Sequence, residues 1–259
     1  METPEQAARR VFGERSAFYA KSAVHKDPEV LKRIIQMATP RVDSLALDIA
    51  TGSGNTAAAL APQVAGVVCV DITRQMITEA EKLARELGIT NMRFCLADTH
   101  ALPFRDKAFD IVTCRRAGHH FSTITKALQE MRRVLRSDGR LVVDDRSVPE
   151  DDFVDSSMNE LDRLHDASHV REYRPSRWRR MLEESGFTVD VIEPYSKHLP
   201  LTSLTTSVSP PKNSERIHAI VDGLTDEQKR AMNVAEIDGE IYINHWYVML
   251  SAHLDPKLL

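Results

Sequence analysis

Short apolar runs alternate with helical patterns between residues 45 and 144, and this alternation restricts the fold more than any other feature of the chain. The runs are Leu45–Asp48 (LALD), Val67–Asp71 (VVCVD), Met92–Asp98 (MRFCLAD), Phe109–Cys114 (FDIVTC) and Leu141–Asp144 (LVVD). Runs this short and this rich in β-branched residues read as parallel strands buried on both faces. Between them, Met76, Ala80, Leu83, Ala84 and Leu87 share one helical face that Gly88 closes. Ile124, Leu128, Met131 and Leu135 share another, which stops near Gly139. Strand and helix in alternation predict a doubly wound α/β sheet with right-handed crossovers.

The flanks read differently. Residues 4–39 carry two helices split near Asp27-Pro28, and residues 150–185 are mostly helical and charged, with Pro175 suited to a helix start. Gly186 opens a strand, FTVDVI. Residues 196–214, rich in Ser, Thr and Pro, read as a loop, and EIYINHWYVMLSAHL reads as a closing strand.

The first run leads straight into a tight turn. Read literally, Gly52–Ala57 is G-x-G-x-x-A, the phosphate-cradling turn of a dinucleotide-binding fold. In an open α/β sheet, ligands sit beyond the carboxyl ends of the strands, where Gly52 and Gly54 lie. Asp71 ends the second run and can accept hydrogen bonds from a ribose diol, which serves NAD and S-adenosyl-L-methionine alike. Two features separate them. Asp48 precedes the turn, and a carboxylate there suits a cationic amino-acid group and repels a pyrophosphate. Asp98 can take an adenine amino hydrogen while Leu102-Pro103-Phe104 closes a flat apolar slot.

The ordered set D-x-A-x-G-x-G, VD and AD-x-x-x-LPF-x-D-x-x-FD resembles the class I S-adenosyl-L-methionine-dependent methyltransferases, nearest to the ubiquinone and menaquinone C-methyltransferase group. The resemblance is strong over about residues 40–145 and looser over HVREYRPSRWRRMLEESGF. It implies a Rossmann-like, seven-stranded sheet whose last strand is antiparallel, with helical lid segments. It also implies S-adenosyl-L-methionine as cofactor and a small-molecule acceptor. By position, the family's contacts fall on Asp48, Ala50, Gly52, Ser53 and Gly54 for the glycine loop, and on Asp71 with Ile72 for the ribose. Asp98 with Thr99 fall at the adenine, and Arg115 follows strand 4. Ala50 stands where many relatives have a glycine. The expected organisation is one domain over residues 1–259: a lid over 1–40, a cofactor-binding core over 41–147 and a substrate-covering segment over 148–259.

RRAGHHF, after the fourth strand, departs from the quinone enzymes and leaves the acceptor open. His119 and His120 fall where the acceptor approaches the methyl group, and histidine suits a base near pH 7. LHDASHVREY sets His165 and His169 four apart, a metal-pair spacing. No H-E-x-x-H or cysteine pair accompanies them, so no metal is expected. The same stretch offers His169, Arg171 and Tyr173 to substrate, and FYAKSAVH offers Tyr19 and His25 as a lid over the cofactor. Two alternatives stay open: the same fold turned to folate-linked methyl transfer, demethylation or dehalogenation, and a non-catalytic sensing module.

Composition excludes some partners. A net charge of −4 argues against a large nucleic-acid footprint, which would need a basic patch, and Arg132-Arg133 and Arg179-Arg180 read as solvated helix faces. METPEQAARRVFGERS lacks a signal peptide's apolar core, and no run nears the ~18 apolar residues of a membrane span, so a cytoplasmic protein is expected. An oligomer stays open. Cys69, Cys95 and Cys114, odd in number and within strand-like runs, read as small buried side chains.

Overall fold

The runs read as strands pair as their burial requires. In the computed structural model, which describes residues 2–205 and 211–255, three helices precede the sheet: α1 (Pro4–Glu14), α2 (Ser16–Lys21) and α3 (Pro28–Ala38). The core follows as β1 (Leu45–Ile49), α4 (Asn55–Leu60), β2 (Gly66–Asp71), α5 (Arg74–Glu86), β3 (Met92–Leu96), β4 (Phe109–Arg115), α6 (Ile124–Val134) and β5 (Leu135–Ser147). Then come α7 (Asp152–His165), α8 (Pro175–Glu184), β6 (Phe187–Pro200), α9 (Thr202–Thr205), α10 (Pro211–Asp222), α11 (Asp226–Ala231), β7 (Ala235–Ile237) and β8 (Glu240–Leu254). Among the described residues no helix is long and apolar enough to cross a membrane.

The sheet runs β3-β2-β1-β4-β5-β8-β6, parallel from β3 to β5, with β8 antiparallel to both β5 and β6. The seven-stranded path and antiparallel last strand are as expected. An eighth, short strand, β7, pairs with β8 at its start. Alternate strand residues feed opposite faces. Leu47, Ile49 and Val70 join α6 and α8 in one core, while Ala46, Val67 and Cys69 join α3 and α4 in the other. A third cluster, built on Met158, Leu161, Ile217 and Ile243, unites α7 and α10 with the start of β8.

Several expectations are corrected. The chain before Pro28 is broken at Arg15 and Ser22 rather than one helix, with a 3-10 turn over Ala23–Lys26. α5 stops at Glu86, leaving Leu87 exposed. Leu135 continues the buried face of α6 yet already belongs to β5, into which the helix passes directly. Residues 196–200 are strand and 211–214 are helix, not loop; 206–210 lie outside the described residues. Of the cysteines, Cys69 and Cys114 are buried and Cys95 is half-buried, all three free.

Candidate functional site

The chain runs from β1 to β2 and β3 on one side and from β4 to β5 on the other, so a crevice opens between the carboxyl ends of β1 and β4. Ligands bind at such a switch point. A cavity of about 400 Å³ lies there. Its walls come from the glycine turn, the ends of β2, β4 and β5, the N-terminal helices, and the segment from α7 to His169.

The turn after β1 is held by carboxylates. Asp48 is buried and accepts hydrogen bonds from the Thr51 and Thr113 hydroxyls, each at 2.6 Å. Burial pushes its carboxyl above the usual carboxylate range. Asp71 accepts from the Gly52 N–H at 2.9 Å and the Thr73 N–H at 2.8 Å, and burial lifts its pKa to about 6. Ala50 adopts φ 49°, a left-handed value that favours the glycine of its relatives. Gly54, at φ 84°, is left-handed and tightly packed: a Cβ would meet the Ala80 Cβ at 3.0 Å. Gly54 therefore shapes the turn without lining the cavity, whereas Asp48, Ala50, Gly52, Ser53, Asp71 and Ile72 line it.

Around this turn stand the other residues assigned to the cofactor. Asp98 accepts from the His100 N–H at 2.8 Å and lies 2.7 Å from the His100 ring, with Thr99 buried beside it. Arg115 donates to Thr56 Oγ1 and to the His25 carbonyl, each at 2.8 Å, and its Nη1 is buried without a partner. Burial lowers the Arg115 pKa. Tyr19 packs edge-on against His25, their rings 5.3 Å apart. His25 is pressed to a pKa of about 3, by burial first and then by Arg115 and Arg116.

The opposite half of the cavity is rich in imidazole. His119 Nδ1 lies 2.6 Å from Asp145 Oδ1, and the His119 N–H donates to Asp145 Oδ2 at 2.9 Å. Burial drives the two pKa values apart from their ordinary ranges, His119 far down and Asp145 up to about 7. The pair needs the glycine before it. A Cβ on Gly118 would stand 2.6 Å from Asp145 Oδ2 and 2.9 Å from the Trp178 ring. His120 packs 4.0 Å from the His119 ring and donates through Nδ1 to the Ser168 carbonyl at 3.1 Å.

His165 and His169 also line the cavity, but not on one helix. α7 ends at His165, and Asp166 turns the chain by accepting from the Ser168 N–H at 2.7 Å. Arg171 and Tyr173 lie elsewhere: Arg171 pairs with Asp155 at 2.8 Å, and the Tyr173 ring packs on Trp178. Neither belongs to the cavity wall. Among the described residues no group of three or more His, Cys, Asp or Glu is arranged to hold a metal ion.

Sequence reasoning passed over Asp145, Arg146, Asp162, Asp166 and His245. Arg146 donates to Asp162 at 2.5 Å and also contacts Glu172 and His245. Two signals pointed there: the doubled acid Asp144-Asp145 at a strand end, and a histidine inside the apolar closing run.

A family model described as a methyltransferase domain matches residues 42–186. An uncharacterized methyltransferase of Bacillus subtilis (strain 168), YcgJ, is 37% identical over 205 residues, covering 79% of this chain and 81% of its own. The YcgJ crystal structure superposes with a TM-score of 0.82 at 32% identity, covering 88% of this chain and 98% of that one. A demethylmenaquinone methyltransferase of Thermus thermophilus is 40% identical over 114 residues, 43% of this chain and 51% of that protein.

Proposed function

The chain belongs to the class I methyltransferase family, and from that premise we propose that it transfers the methyl group of S-adenosyl-L-methionine to a small-molecule acceptor. The observation that carries the reading is one continuous cavity joining the acid-and-glycine turn to the His119–Asp145 pair. The residues fit the cofactor's parts. The unpartnered Nη1 of Arg115 suits an α-carboxylate, and the Asp48 carboxylate beside it suits an α-ammonium. Asp71, anchored by two N–H groups, suits a ribose diol, while Asp98 and Thr99 suit an adenine edge. Tyr19 and His25 close over this half of the cavity.

When bound, the sulfonium supplies an electrophilic methyl group, and in-line transfer of this kind is catalysed mainly by positioning. His119 takes the proton of the acceptor at Nε2 when Asp145 is ionised, since the carboxylate then only accepts and fixes the proton on Nδ1. Asp145 is the positioning residue: it holds the ring and stabilises it once protonated. His120 shapes the wall next to that base.

Calorimetry with S-adenosyl-L-methionine, S-adenosylhomocysteine, NAD and tetrahydrofolate, run side by side, tests the cofactor. The first two are expected to bind and the others not to. Tight binding of NAD or tetrahydrofolate without S-adenosyl-L-methionine overturns the reading.

A further inference from the structure

The acceptor half of the cavity has a one-sided hydrogen-bonding character. His169 Nε2 faces the Asn159 carbonyl oxygen at 3.1 Å; that oxygen already accepts from the Glu172 N–H at 2.8 Å, so the ring nitrogen donates. His119 donates through Nδ1 to Asp145, and His120 through Nδ1 to the Ser168 carbonyl. Each ring has thereby committed one nitrogen to the protein. His119 Nε2, His120 Nε2 and His169 Nδ1 remain for a ligand, on rings 4.0 Å and 6.0 Å apart. Burial holds His119 far below its ordinary pKa and His169 at about 3, so these two nitrogens are bare acceptors at neutral pH.

The charges lining this half lean the same way. Arg146 is committed to Asp162, Glu172 and His245, and Arg116 to Asp144 at 3.0 Å. Asp166 takes both its bonds on Oδ1, from the Ser168 N–H and hydroxyl, and no ion pair to it is present among the described residues. Burial alone would raise the Asp166 pKa, but His120 and the Ser168 bonds hold it below the usual range. The wall thus offers two ring acceptors, on His119 and His169, and one carboxylate.

We propose that the methyl acceptor is a small amine, held through its N–H groups by His119 and His169 and by the charge of Asp166. This rests on the methyltransferase reading above and names its substrate class. The bound ammonium first passes one proton to His119 Nε2. The lone pair this frees forms the new N–C bond as the S–C bond breaks, its electron pair staying on sulfur, and the product leaves as the methylated ammonium. A carboxylate or phosphate substrate would meet two ring acceptors and one negative charge, which disfavours it.

The test is saturation-transfer NMR and calorimetry with cyclohexylamine, cyclohexanol and cyclohexanecarboxylate, on the protein alone and loaded with S-adenosylhomocysteine. The amine is expected to bind roughly ten-fold more tightly than the other two. Asp166→Asn and His169→Gln are each expected to weaken it several-fold without changing S-adenosylhomocysteine affinity. Equal or tighter binding of the alcohol or carboxylate, absence of amine binding, or indifference to both substitutions overturns the proposal. Amine binding to a protein that takes no S-adenosylhomocysteine would leave an amine site but sink the cofactor reading, and with it the amine's role as methyl acceptor.

Discussion

Asp145 grips His119 twice, through the ring at 2.6 Å and through the backbone N–H at 2.9 Å. Burial is the largest cause of the imbalance, holding His119 far down and lifting Asp145 to about 7, with His120 and Arg146 adding to the first and Asp144 to the second. A buried His–Asp pair whose two members both resist charge is poised to receive one proton from a ligand.

Asp145→Asn keeps the shape and removes the acceptor that selects Nδ1–H. The expected result is a shift of the His119 tautomer, read by imidazole ¹⁵N NMR, and a fall in kcat of about 10²–10⁴-fold. S-adenosylhomocysteine affinity should stay near that of the unsubstituted protein. An unchanged tautomer and unchanged kcat would remove the positioning role.

Cofactor affinity should depend on pH through Asp71. Its pKa is raised to about 6, and only the ionised carboxylate accepts two further hydrogen bonds from a diol. Affinity is therefore expected to climb as pH rises from 5 toward 7 and to level off above. Calorimetry on Asp71→Asn should give a flat profile and a loss of about 1.5–3 kcal/mol at pH 7.5. A profile identical to that of the unsubstituted protein refutes the assignment.

Arg115 separates the two ends of the ligand. Arg115→Met should weaken S-adenosylhomocysteine by about 1.5–3 kcal/mol, the worth of a hydrogen bond to a charged group. It should leave 5′-methylthioadenosine, which lacks the carboxylate, within a factor of about two, well inside the RT scale. Equal losses for both ligands would mean that Arg115 acts by holding the His25 carbonyl.

Buried neutral histidines also bear on stability. His25 and His169 have folded pKa values of about 3, below the 6.5 of an unfolded chain. Below pH 6.5 the unfolded state binds more protons, so stability is full above that pH and falls as pH drops toward 3. Asp145 acts in the opposite sense, since its raised pKa favours the folded state as pH falls below 7. Burial holds His119 and His245 down as well, and raises Asp48, Asp71 and Glu172 alongside Asp145, so the imidazole share is read by comparing variants across the drop in Tm between pH 6.5 and 4.5. His169→Gln should lessen that drop; a drop of the same size would assign it to other groups.

How much of this was legible depended on whether the determining contacts were local. The five core strands and the glycine turn were, because burial of a parallel strand and a left-handed backbone each leave a mark within a few residues. β6 was not legible past Ile192, because Pro194, Ser196 and Pro200 resemble a loop. The strand tolerates them because it is the sheet edge, where a missing N–H costs little. His119 was placed at the cavity from its position after β4, and it lines that cavity. Its partner Asp145 is 26 residues on, and nothing near either residue records the contact. Arg171 lies off the cavity wall because Asp155, 16 residues earlier, claims it, a contact that no local pattern records, and Tyr173 packs on Trp178 of the helix that follows it.

Gly118 tests whether the pair needs its close approach. A methyl group there would overlap Asp145 Oδ2 at 2.6 Å and the Trp178 ring at 2.9 Å. Trp178 is almost wholly buried and Asp145 wholly so, and neither has space to yield. Gly118→Ala is therefore expected to cost about 1–3 kcal/mol by overpacking and to part His119 from Asp145. Glycine-turn geometry is remote from this contact, so S-adenosylhomocysteine affinity should persist while the His119 ¹⁵N signature changes. Denaturant unfolding and NMR on the same sample decide it. A stable variant with an unshifted His119 would mean that β5 or α8 yields freely, and that the tight fit around Gly118 does not set the pair.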